Sequence, residues 1–186
     1  MIRVGILVFD DVEELDFVGP LEVFGAAAVA GADCEVLTVA PHATAVTCRH
    51  GLRMIPGYTF EDVPALDVLI VPGGLGARTH ARGNPHILEF VSKHSGFLAS
   101  VCTGSLILAA AGILDGQEAT THHSAFDALR AFRQIKVREG VRMTIGEHVA
   151  TSAGVSAGID LAIALVEKLW GAELARTVSD DLEWTR

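Results

Sequence analysis

Three observations in the 186-residue chain predict an α/β fold with a doubly wound, mostly parallel sheet sandwiched by helices. Strand-like runs are apolar on both faces, helical spacing separates them, and small residues gather where strand gives way to helix. Residues 2–9, "IRVGILVF", are nearly all β-branched or apolar, the pattern of a central strand covered on both sides. Residues 12–30 switch to helical spacing through Val12, Leu15, Val18, Val23 and Phe24 and end before Gly31. Pro20 inside that span removes a ladder donor, which predicts either a bend with an irregular backbone near Asp16 or simply a helix boundary.

"CEVLTV" (34–39) reads as the second strand, and residues 45–60 as two short strands about a turn at Gly51. "DVLIVPGG" (67–74) is a buried strand ending in a glycine pair. Asn84 caps a helix over 84–95, with Pro85 in its first turn. A strand over 97–101 and a helix over 103–113 follow, then a helix near 123–132. Short strands near 135–138, 141–145 and 148–151 lead to a closing helix over 155–170. This alternation, without repeat or linker, describes one domain over 1–186 with a flavodoxin-like order.

The formal net charge of −9 and the lack of a Lys/Arg stripe argue against nucleic-acid binding and favour a small-molecule substrate. Apolar stretches break well short of the about 20 residues a membrane span needs. The apolar run after Met1 is too brief for a signal peptide, which predicts a cytoplasmic protein. Cys34, Cys48 and Cys102 form an odd set without CxxC spacing, against a disulfide framework or a thiolate zinc site. No metal or organic cofactor is expected.

In open α/β sheets ligands bind beyond the carboxyl ends of the strands, where Asp16, Gly73, Gly74 and Cys102 should converge. Cys102 directly follows "FLASV" and precedes Thr103, Gly104 and Ser105, small residues suited to a sharp strand-to-helix turn that presents a nucleophile. The following helix end should lower its thiol pKa, and amides there should stabilise an oxyanion. A free cysteine also serves as core filler, the reading given to Cys34 and Cys48 in their strand-like runs. Gly73 and Gly74 serve as a turn or aim amides at an anion. Asp16, set between Leu15 and Phe17, reads as a partly buried acid able to hold a proton, or as an ordinary helix residue. "TTHHS" (120–124) brings His122 and His123, which point differently and chelate one metal poorly; pairing of one with Cys102 fits better. Asp160, in an otherwise apolar helix, reads as a hydrogen-bonded structural acid.

With these residues assembled, the chain resembles the ThiJ/PfpI superfamily, whose fold is related to class I glutamine amidotransferases. "VGILVFDDVEELDFVGPLEVF", "DVLIVPGG", "SVCTGSLILAAAGILDG", "ATTH" and "AGVSAGIDLAIALVEKL" occur in the family's order. "ELDFVGP", "VCTGS" and "ATTH" are most similar to isonitrile hydratases and to the ligand domains of AraC-type regulators. The resemblance implies Cys102 as nucleophile, Asp16 as acidic partner, Thr103 as accessory residue, oxyanion amides at Gly74 and Thr103, and a homodimer. His123 stands where relatives carry an aromatic residue, and Val18 where they often carry Thr. The expectation is hydration of an isonitrile at Cys102. Its alternatives are attack on a carbonyl, as in amidase, glyoxalase-like or peptidase members, with a larger part for His122, and a ligand- or redox-sensing domain. The acidic chain, ending at "DDLEWTR" with no room for an added helix-turn-helix, argues against a DNA-linked regulator.

Overall fold

In the computed structural model, which describes residues 1–185, strand β1 (Ile2–Leu7) lies inside the sheet with Val4, Ile6 and Leu7 fully buried. Its neighbours are β2 (Cys34–Ala40) on one side and β6 (Val68–Val71) on the other, both parallel to it. The chain reaches β2 through helix α1 (Glu14–Val29) and, beyond β6, reaches β7 (Phe97–Ser100) through α2 (Leu75–Thr79) and α3 (Pro85–Lys93). These crossovers leave β1 and β6 in opposite directions, and the right-handed rule puts their helices on opposite faces. The carboxyl ends of β1 and β6 therefore flank a crevice at the point where the winding reverses.

Short strands β3 (Val46–Thr47) and β4 (Arg53–Met54) form the antiparallel ribbon expected around Gly51, and β5 (Tyr58–Thr59) joins the sheet edge beside β2. After β7 come α4 (Gly104–Ala110), β8 (Glu118–Ala119), α5 (Phe126–Arg130) and β9 (Lys136–Val137), with β8 and β9 forming a second two-stranded ribbon. Then β10 (Met143–Ile145), β11 (Val149–Ser152), α6 (Ala157–Trp170) and α7 (Ala172–Asp181) complete the chain. The main sheet runs β10-β11-β7-β6-β1-β2-β5, with β10 its antiparallel edge. Helices α1, α6 and α7 pack together, as do α2 to α5 around α4. This is the flavodoxin-like fold.

Several sequence-derived boundaries shift. The first strand stops at Leu7, the strand expected over 67–74 at Val71, and the helix after Cys102 at Ala110. The helix near 123–132 opens as a tight turn over His123–Ala125 before α5. Helices α2 and α7 were not expected from sequence. α1 runs unbroken through Pro20 with Asp16 in its first turn, so the irregular backbone expected there is absent. All three cysteines are free, Cys48 buried and Cys34 half-buried. Among the described residues no helix is long and apolar enough to cross a membrane.

Candidate active site

Cys102 occupies the turn from β7 to α4 with a φ of +56°, a left-handed conformation costing an L-residue roughly 1–2 kcal/mol. Its backbone is held from three sides. The N–H donates to the Ala153 carbonyl at 3.3 Å, and the carbonyl accepts from the Ser105 and Thr121 hydroxyls at 3.2 and 3.0 Å. Gly104 closes the turn because a Cβ there would collide with the Val71 carbonyl oxygen. The thiol is nearly enclosed, at 5 % exposure. Gly154 packs tightly against it: a Cβ there would lie 2.7 Å from Cys102 Sγ and 2.5 Å from His122 Cδ2, so only glycine lets the thiol and the imidazole close in on this backbone.

Asp16, fully buried, comes from α1 and faces the same turn. Its Oδ2 accepts the Gly73 N–H at 3.0 Å, Oδ1 has no hydrogen-bond partner, and its carboxyl interacts electrostatically with the Cys102 thiol. Burial first, then the nearby Glu13 carboxylate, push the Asp16 pKa up to about 7, against the Gly73 amide, Cys102 and Arg49. Thr103 is equally buried; its hydroxyl accepts the Gly74 N–H at 3.0 Å. Gly73 is obligatory here, since a Cβ would sit 2.6 Å from Thr103 Oγ1 and 3.0 Å from Asp16 Oδ2.

Two expectations are corrected by this geometry. Burial, reinforced by the Asp16 charge, pushes the Cys102 thiol up to about 12, outweighing the lowering by Thr103 and Arg78. Burial thus favours a thiol at Cys102, beside a carboxyl group, over a helix-stabilised thiolate. Secondly, the Gly73 and Gly74 amides are committed to Asp16 and Thr103, and the Gly104 amide to the Val101 carbonyl at 2.9 Å. These amides brace the site's own side chains instead of presenting an oxyanion hole; of that set, the Thr103 amide is the one that faces the sulfur.

His122 is half-buried and packs against Gly154, while His123 is exposed with its ring 4.1 Å from that of His122. Burial chiefly, then the His123 and Arg78 charges, hold His122 below its ordinary pKa. Arg78 on α2, Ser124, Thr121 and the Ala153–Gly154 backbone were not singled out from sequence. Thr121, Ser124, Ala153 and Gly154 lay inside quoted motifs without being marked there, while Arg78 lay outside them. Asp160 is indeed hydrogen-bonded, to Arg142 and to the Trp184 indole at 2.9 Å. Glu13, Glu14 and His50 gather near the site, but Arg49 and His50 each reach Glu13 at 3.2 Å, an arrangement of ion pairs. A cavity of about 530 Å³ between the 60–66 segment and α3 lies apart from Cys102.

A family model of known proteins, that of the DJ-1/PfpI family, matches residues 2–168. The chain belongs to this family. Within the DJ-1/PfpI family it is 37 % identical to an isonitrile hydratase of Pseudomonas putida, over 98 % of this chain and 78 % of that protein. A glutathione-independent glyoxalase of Caenorhabditis elegans is 29 % identical over 88 % of this chain and 86 % of its own. The crystal structure of a family protein from Pseudomonas syringae superposes with a TM-score of 0.90 at 33 % identity, covering 99 % of this chain and 75 % of that one.

Proposed function

We propose that the protein adds water to an isonitrile, giving an N-substituted formamide through a thioimidate on Cys102. The observation that carries this reading is an almost enclosed thiol set beside a fully buried carboxyl group, whose pKa burial pushes up to about 7. An isonitrile presents a slim, linear terminal carbon suited to so narrow an approach, and that carbon needs both a nucleophile and a proton. The Asp16 carboxylate takes the thiol proton as sulfur bonds to carbon, then returns it to the same carbon, leaving R–N=CH–S on Cys102. Water adds across C=N, its proton going to nitrogen and its oxygen to carbon. The C–S bond then breaks, sulfur recovers the hydroxyl proton, and R–NH–CHO departs. The scheme calls for no metal or organic cofactor, and the Pseudomonas putida relative's name supports the substrate class.

The test is incubation with an alkyl isonitrile and detection of the formamide. Turnover lost in Cys102→Ala supports the proposal; no formamide above that variant's background removes the substrate assignment. A second reading, attack of Cys102 on a carbonyl substrate, draws on His122 packed against the same glycine and on the name of the Caenorhabditis elegans relative, a glyoxalase. It requires methylglyoxal turnover that falls in His122→Ala, and equal rates in the two proteins count against it.

A further inference from the structure

Which proton state His122 can adopt is decided by its neighbours. Its Nδ1 accepts the backbone N–H of Ser124 at 3.2 Å, and an amide N–H can only donate. The Ser124 hydroxyl oxygen lies 2.9 Å from the same Nδ1. That oxygen also accepts from Arg78 Nη2 at 2.9 Å, and because Nδ1 already accepts the amide it carries no hydrogen of its own, so the hydroxyl hydrogen points at the imidazole. Two donors therefore converge on Nδ1, and the ring hydrogen belongs on Nε2. The opposite ring edge, through Cδ2, packs at Gly154, where Cys102 Sγ also packs.

We propose that Arg78 and Ser124 are positioning residues that lock His122 with its hydrogen on Nε2, making it a hydrogen-bond donor beside Cys102 and excluding it as the base for the thiol. A neutral imidazole is a good donor toward developing negative charge and leaves proton transfer to Asp16. The groups acting on the ring are His123 next to it, Arg78 from α2, and Glu13 and Arg49 from the α1 and β3–β4 sides. Of these only Glu13 favours the imidazolium; burial, His123, Arg78 and Arg49 keep the ring neutral. In the proposed reaction the acceptor is the isonitrile-derived nitrogen, activated as water adds. That part alone rests on the reading above; the tautomer does not.

The tautomer is read in the free protein from long-range nitrogen–proton correlation spectra of ¹⁵N-labelled histidine at pH 7, with His122 assigned by its loss in His122→Gln. Hydrogen on Nε2 alone is expected. Hydrogen on Nδ1, or an imidazolium, overturns the proposal. Ser124→Ala leaves the amide as sole donor and is expected to bring in an Nδ1-protonated population; a spectrum like that of the wild type removes the role of Arg78 and Ser124. In the formamide assay, His122→Gln keeps an N–H near the Nε2 position and should exceed His122→Ala by about tenfold or more. Equal losses in the two variants contradict the donor role. A wild type that turns over no isonitrile sinks the substrate reading, while the spectra still decide the tautomer.

Discussion

A carboxyl group that titrates near 7 in the folded protein makes folding pH-dependent, and at Asp16 the sign is fixed. Its folded pKa lies above the ordinary 3.8, so its contribution to stability is complete below about pH 4 and is lost as pH rises through 7. Asp16→Asn keeps an acceptor for the Gly73 N–H and carries no charge to bury. Relative to the wild type, the variant should gain about 2 to 3 kcal/mol between pH 5 and pH 8, read as a widening difference in Tm. A difference that stays constant across this range contradicts a raised Asp16 pKa. The residues of this pair were legible because their immediate neighbours mark them: Leu15 and Phe17 around the acid, Thr103 and Gly104 after the thiol. Their protonation was not. It depends on burial assembled from α1, β6 and β7, which is why the sequence reading expected a thiolate and the structure holds a thiol.

At the level of elements, the β7–α4 turn works because α4 starts against the end of β6. The first residue of α4, Gly104, has no room for a methyl group: a Cβ would overlap the Val71 carbonyl oxygen, a backbone atom that cannot rotate away. Gly104→Ala should therefore destabilise the fold by about 1–3 kcal/mol, seen as a lower urea midpoint, although alanine ordinarily favours a helix. An unchanged midpoint would show that the turn yields easily. Long elements with strong periodicity were read close to their true bounds: α1, α3 and α6 shift by at most two residues from the sequence expectation. α3 also shows the expected cap, with Asn84 accepting the His86 and Ile87 amides at 3.0 and 3.4 Å. Short or polar elements were missed. α2 has five residues and no side-chain cap, and α7 buries only Ala175 and Val178 while remaining polar elsewhere.

For the whole molecule, the strand order matters more than any one element. Residues 16, 73 and 102 meet because β1, β6 and β7 are adjacent in the sheet and their carboxyl ends share one edge. Alternating strands and helices made that meeting legible. The partners from farther along the chain were not: Arg78 reaching Ser124, or Ala153 accepting the Cys102 amide, depends on loop paths that periodicity does not encode. The same molecule also carries its own controls, since burial raises the thiols of Cys34 and Cys48 without an Asp16 beside them. The most direct measurement is therefore the pH dependence of iodoacetamide labelling at each cysteine, resolved by mass spectrometry, in the wild type and in Asp16→Asn. With Asp16 as the base, Cys102 labelling should rise through a midpoint near 7, absent at Cys34 and Cys48, and the midpoint should vanish in Asp16→Asn. A Cys102 profile with no rise near 7, or one that Asp16→Asn leaves unchanged, would contradict the thiol–carboxyl pair.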